Sequence, residues 1–183
     1  PIWTFFLVAV DLTSGGHAAR EIPVLPSGFA FVDADNAIAS LADGRVAISM
    51  DSAGQWRFER RDEAVKGTII ASRQGSVVTK ESYPQVPQNR CLLTWNGLST
   101  ELPDPREVHS WNGDLFVLTY DGTVYRLGAD MSAKVIGRSA PDRIPIGSGV
   151  SAHGVWIAYE GGEVVVYGDS ERHFTLPLPS TMP

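Results

Sequence analysis

Apolar residues along this chain come in short runs, not in helical stripes. The runs are rich in Val, Ile and aromatic residues and are bounded by Gly, Asp-Gly or Pro. Five stand out: Phe5–Val10, Ala37–Leu41, Thr68–Ser72, Asp114–Thr119 and Gly154–Tyr159. Each is followed by a glycine-bearing turn and a second run. The turns are Thr13-Ser14-Gly15-Gly16, Asp43-Gly44, Gln74-Gly75, Asp121-Gly122 and Gly161-Gly162. Glycine there supplies the positive φ of a tight two-residue turn, so the pattern predicts β-hairpins. The best helical candidate, Trp56–Val65, is broken by its own aromatic alternation.

The hairpins recur. Turn glycines at 44, 75, 122 and 161 are spaced by 31, 47 and 39 residues. Asn112–Tyr125 aligns with His153–Tyr167 as the best internal match. A period near 40 with three or four short strands per unit points to propeller blades. The reading is an all-β, small β-propeller of five blades in a single domain, 1–183. The blades run 1–26, 27–65, 66–105, 106–144 and 145–183, and the N-terminal strands are expected beside the last blade, closing the ring. A β-sandwich is the alternative, but it does not require a regular period. Within blade three, Tyr83–Asn89 carries two prolines, which forbids a central strand and predicts a loop.

Charge removes several functions. The chain has 183 residues, 15 Lys+Arg against 21 Asp+Glu, and a net charge of −6. No basic footprint for nucleic acid exists. Hydrophobic residues at 43% suffice for a core, and 18 Gly with 12 Pro imply many turns. The single cysteine, Cys91, rules out an internal disulfide and a Cys-based zinc site. It reads as a small buried hydrophobe. The longest apolar run, Ile2–Val10, is far short of the roughly 20 residues of a spanning helix. With Pro first and no signal-peptide pattern, the expectation is a soluble protein made in the cytoplasm, without membrane insertion.

One motif carries a family resemblance. Ser49-Met50-Asp51-Ser52-Ala53-Gly54-Gln55-Trp56 resembles the Asp-box, Ser-x-Asp-x-Gly-x-Thr-Trp. Ser49, Asp51 and Trp56 hold matching positions. Gly54 is displaced by one, and Gln55 replaces Thr. The physics suits a hairpin between the outer strands of a blade: a short Asp or Ser caps the turn's N–H groups, and the Trp covers the hairpin. The resemblance implies an Asp-box (sialidase-repeat) β-propeller, of the kind found in bacteriophage structural and tail proteins. It implies a fold and not an activity, because such boxes are structural turns.

Catalytic sets are missing from the sequence. Asp33, Asp35 and Asp51 are the nearest carboxylate cluster and read as solvated turn residues. Asp33-Ala34-Asp35-Asn36 lacks the Gly and bidentate Glu of a calcium loop. His17, His109, His153 and His173 are dispersed, with no metal-ligand spacing. Neither a P-loop nor a GxSxG elbow is present. Tyr83, Trp95, His109 and Trp111 cluster around the junction of blades three and four and form a candidate binding face, against the plainer reading of aromatic packing between blades. No cofactor and no metal are called for. The functional expectation is a non-enzymatic structural or protein-interaction module of a larger assembly, such as a phage virion or tail. A carbohydrate-binding, lectin-like propeller is the alternative, with glycan as ligand, and a glycoside hydrolase comes third.

Overall fold

The computed structural model describes residues 5–10, 17–22, 27–33, 36–41, 44–50, 56–61, 67–82, 90–139 and 143–176. Regular structure among them is entirely β. Strands β1 (Phe5–Val10) and β2 (His17–Ile22) pair as a hairpin. Four further sheets follow. They are β3 (Gly28–Phe31) to β4 (Asn36–Leu41), β5 (Gly44–Met50) and β6 (Trp56–Arg61); β7 (Thr68–Arg73) to β8 (Ser76–Ser82), β9 (Arg90–Trp95) and β10 (Leu98–Pro103); β11 (Pro105–Trp111) to β12 (Asp114–Thr119), β13 (Thr123–Leu127) and β14 (Ala133–Arg138); and β15 (Pro145–Ser151) to β16 (Gly154–Tyr159), β17 (Glu163–Tyr167) and β18 (Glu171–Thr175).

Every four-stranded sheet takes four consecutive strands in sequence order. A sandwich would mix strands distant in sequence; this up-and-down order is that of propeller blades. Trp56–Arg61, inside the best helical candidate, is strand β6.

The chain separates into two compact units, Pro1–Glu81 with Thr94–Asn96, and Ser82–Leu93 with Gly97–Pro183. In the first, β3 and β7 run close together. Gly28 lies against the backbone of Ile69, where any Cβ would collide. The Ser72 hydroxyl donates to the Phe31 carbonyl. Ala30, Ala37 and Ala39 are buried here, and their small side chains permit that approach.

The second unit holds an apolar core. Phe116, Leu118 and Val124 pack with Val155, Ile157, Tyr159, Val165 and Tyr167, and Trp111 and Ile136 lie against them. Leu115–Leu118 is buried on both faces of β12, so this strand reads as a continuous apolar run. Cys91 is fully buried.

Turn geometry explains the uneven glycine spacing. Gln74-Gly75, Asn96-Gly97 and Asn112-Gly113 each have positive φ at both residues, the type I′ pattern. Gly75 therefore belongs to the hairpin joining first and second strands of its sheet. Gly44, Gly122 and Gly162 mark the junction of second and third strands instead. The 31- and 47-residue spacings arise from comparing two different turns.

The internal alignment also shifts by one residue. Leu115 pairs with Leu127, and Val155 pairs with Tyr167. Tyr120 N–H donates to Asp104 O, and Glu160 N–H to Ile144 O. Equivalent positions are thus 40 apart, whereas matching Gly113 to Gly154 puts them 41 apart. Gly113 is a turn residue and Gly154 a strand residue with φ of 141°. A slip of one residue turns every side chain to the other face.

Candidate interaction site

β11 and β15 are the first strands of their sheets and lie side by side in the second unit. Both carry the same irregularity. Pairing slips between Pro105 and Glu107, and again between Pro145 and Gly147. Proline has no N–H to give to a ladder and tolerates only the start of a strand or a bulge. The extra residues, Arg106 and Ile146, are turned out to solvent, and Ile146 is 60% exposed. In the first unit the pairing of β7 with β8 also slips, between Ile69 and Ala71, without a proline.

The turn after β12 stands beside the β11 bulge. Tyr120 at its tip is 73% exposed, while its N–H donates to Asp104 O at 3.4 Å. Asp121 fixes the turn. The Thr119 hydroxyl shares its proton between Asp121 Oδ1 at 2.5 Å and Thr123 O at 2.8 Å, and Thr123 N–H donates to Asp121 Oδ1 at 3.1 Å. These bonds favour the carboxylate, so the Asp121 pKa falls below its usual value, with the Thr119 bond as the main cause. In the next sheet Ile144 holds the position of Asp104 and is exposed. Tyr120, Arg106, Ile144 and Ile146 therefore sit at one end of the first strands.

Behind them lies a polar cluster. Glu107 and His109 point to one side of β11 by strand alternation, and Ser148 of β15 meets both. His109 Nε2 is 2.5 Å from Ser148 Oγ and 3.4 Å from Glu107 Oε2, and the Ser148 hydroxyl donates to Glu107 Oε2. With the hydroxyl proton spent on the carboxylate, His109 donates from Nε2–H to Ser148. Burial lowers the His109 pKa, against a smaller opposing pull from Glu107. A serine-hydrolase relay needs the acid on one ring nitrogen and the serine on the other. Here both partners meet Nε2, so the arrangement ties neighbouring first strands together.

Of the residues singled out from sequence, Trp95 is on β9, and His109 and Trp111 stand two apart on β11. Trp95 is 8% exposed; its Nε1–H donates to Arg73 O at 3.1 Å, and the Arg73 guanidinium lies 4.4 Å from its ring centroid. It packs in the first unit and presents no face. Trp111 packs edge-on against Phe116, with ring centroids 6.1 Å apart. His109 belongs to the polar cluster, and Tyr83 lies outside the described residues. Of the Asp-box, Ser49 near the end of β5 pairs with Arg57 of β6, and Met50 pairs with Trp56. The box thus spans the third and fourth strands of its sheet. Asp51 and Gly54 lie outside the described residues, as does Asp35. Asp33 accepts from Asn36 Nδ2 at 2.8 and 3.0 Å. Among the described residues no three His, Cys, Asp or Glu side chains converge as metal ligands.

Sequence reasoning missed Arg106, Glu107, Tyr120, Ile146 and Ser148. One signal was available: Pro105 and Pro145 stand one 40-residue period apart, each opening a first strand.

No protein-family model matches the sequence, and no curated protein matches it. Solved structures do. A catalytically inactive histidine-to-alanine virginiamycin B lyase from Staphylococcus aureus with quinupristin superposes with a TM-score of 0.56, at 16% identity over 95% of this chain and 64% of that one. YCF48 bound to D1 peptide gives 0.53, at 11% identity over 96% and 66%. A streptogramin B lyase gives 0.51, at 15% identity over 85% and 56%. The chain thus spans between 56% and 66% of the length of these structures. At such identities the likeness establishes architecture alone, and that architecture is the β-propeller.

Proposed function

We propose that this chain is a non-enzymatic, protein-interaction propeller, and that Tyr120, Arg106, Ile144 and Ile146 receive a segment of a partner protein. The observation that carries this reading is the exposure of Tyr120, Ile144 and Ile146 around two bulges that turn side chains outward. Aromatic and Arg anchors beside aliphatic surface are the usual composition of binding hot spots. YCF48, which shares the fold, is bound to a D1 peptide in its own structure. The Glu107–His109–Ser148 cluster supports the non-enzymatic side, because carboxylate and serine both meet the same ring nitrogen of His109. The Asp-box resemblance favours a large particle, such as a phage virion or tail, as the setting.

The test is sedimentation of lysate from the native source, with this chain quantified by mass spectrometry. We expect it in a large particle at fixed ratio to other chains. Tyr120→Ala and Ile146→Asp should each release it, with the circular dichroism of the purified chain unchanged. Migration as a free monomer, or retention of both variants in the particle, overturns the reading.

A further inference from the structure

The Glu107 carboxylate stands between the bulged residue Arg106 and the polar seam behind it. Its Oε1 lies 3.9 Å from Arg106 Nε. Its Oε2 accepts from the Ser148 hydroxyl and lies 3.4 Å from His109 Nε2. On β15, Ser148 follows the other bulged residue, Ile146, by two positions. Pairing slips at both bulges, so Arg106 and Ile146 sit outside the regular ladders. Their places are set by the strands that carry them and, for Arg106, by Glu107.

His109 keeps this contact in one protonation state. Its neutral ring donates from Nε2–H to Ser148, so a second proton goes to Nδ1. Among the described residues no acceptor meets Nδ1. The side chain is only 21% exposed, and a cation there needs a carboxylate to compensate it. Glu107 alone is placed for that. β15 carries no charged residue, and the one titratable group of β16, Tyr159, accepts from the Ser139 hydroxyl at 3.2 Å. On β12 the residue paired with His109 is Phe116, and Asp114 is held by Arg126 at 2.6 Å. Protonation therefore draws the ring toward Glu107 and Nδ1–H toward water. Both movements take the ring off Ser148, and a carboxylate turned to the imidazolium is turned from Arg106.

We propose that His109 is an acid-sensitive latch on the interaction face. The neutral ring joins β11 to β15 and leaves Glu107 to Arg106. The charged ring takes Glu107 and parts the two strands, so a partner held at neutral pH is released on acidification. The release rests on the interaction reading above; the latch itself rests on the seam. Burial holds the His109 pKa below 6.5, so the latch opens in mild acid.

An NMR titration of the full chain tests the latch without a partner. We expect Arg106 Nε–H and the amides of Ile146 and Ser148 to shift with the His109 midpoint and not with that of His173. Glu107→Gln should leave His109 titrating and uncouple Arg106 from it. Sedimentation of the native particle at about pH 7 and about pH 5 tests the release. The ratio of free to bound chain should rise about fivefold or more, while His109→Gln should stay bound at both. Should either variant fail to fold, titration and sedimentation of the unaltered chain decide. Three results overturn the proposal: Arg106, Ile146 and Ser148 signals that ignore the His109 midpoint, a particle that holds the unaltered chain equally at both pH values, or acid release that persists in His109→Gln. A chain outside the particle at both pH values refutes the interaction reading instead, and the titration then decides the latch alone.

Discussion

His109 and His173 differ in what surrounds the ring. His109 is driven below its ordinary pKa by burial between β11 and β15. His173 on β18 is exposed and raised, because its ring nitrogens meet Glu163 Oε1 at 3.1 Å and Glu171 Oε1 at 2.8 Å. An NMR titration should find the His109 midpoint below 6.5 and the His173 midpoint above it. The consequences for stability have opposite signs. Below about pH 6.5 the unfolded chain takes up a proton at position 109 that the folded chain resists, so stability falls with pH there. His173 stabilises below its unfolded pKa, and that contribution is lost as pH rises through its folded value; full exposure keeps it small. Urea unfolding of His109→Gln should therefore show a shallower loss between pH 7 and pH 5 than the parent chain.

At the scale of the strand and the turn, two glycines separate crowding from backbone freedom. Gly149 lies under the Trp156 ring across the β15–β16 pair, and an added Cβ would come 2.7 Å from Cζ2. Gly149→Ala should cost about 1–3 kcal/mol, since the Trp156 ring must shift to admit the methyl group. Gly75 has φ of +78° and open space around it. Gly75→Ala should cost only about 1 kcal/mol, a purely backbone effect. Thermal unfolding of the two variants checks the difference. The hairpins themselves were legible because their causes are local: Asp114–Thr119 and Gly154–Tyr159 are strands over the span their apolar runs indicate. Pairing offset was not legible, because glycine has different roles at 113 and 154, and only the ladder distinguishes them.

Over the second unit as a whole, stability rests on a core that mixes two sheets. Phe116 and Leu118 of one pack with Val155, Ile157 and Tyr159 of the other. Phe116→Ala should cost about 3–5 kcal/mol. Amide exchange should accelerate in β12–β13 and β16–β17 together, because Phe116 sits in a core that the two sheets share. Acceleration confined to β12–β13 would mean that the sheets are separately stable. The proposed interaction face belongs to this scale too: Arg106 and Ile146 are 40 residues apart in sequence and reach one surface only because β11 and β15 lie side by side.

What the sequence determined alone is the part governed by neighbours along the chain. Short apolar runs closed by Gly turns give strands, and their recurrence every 40 residues or so gives consecutive meander sheets and the propeller fold. Burial of Cys91 follows from the same local reading. Tertiary structure decided which side chains face solvent. Trp95 and Trp111 have the chemistry of a binding face but are taken up by packing against Arg73 and Phe116. Tyr120 and Ile146 look no different in sequence, yet one sits at a turn tip and the other on a proline-induced bulge. Exposure depends on what the next sheet covers, and no pattern within one strand encodes that.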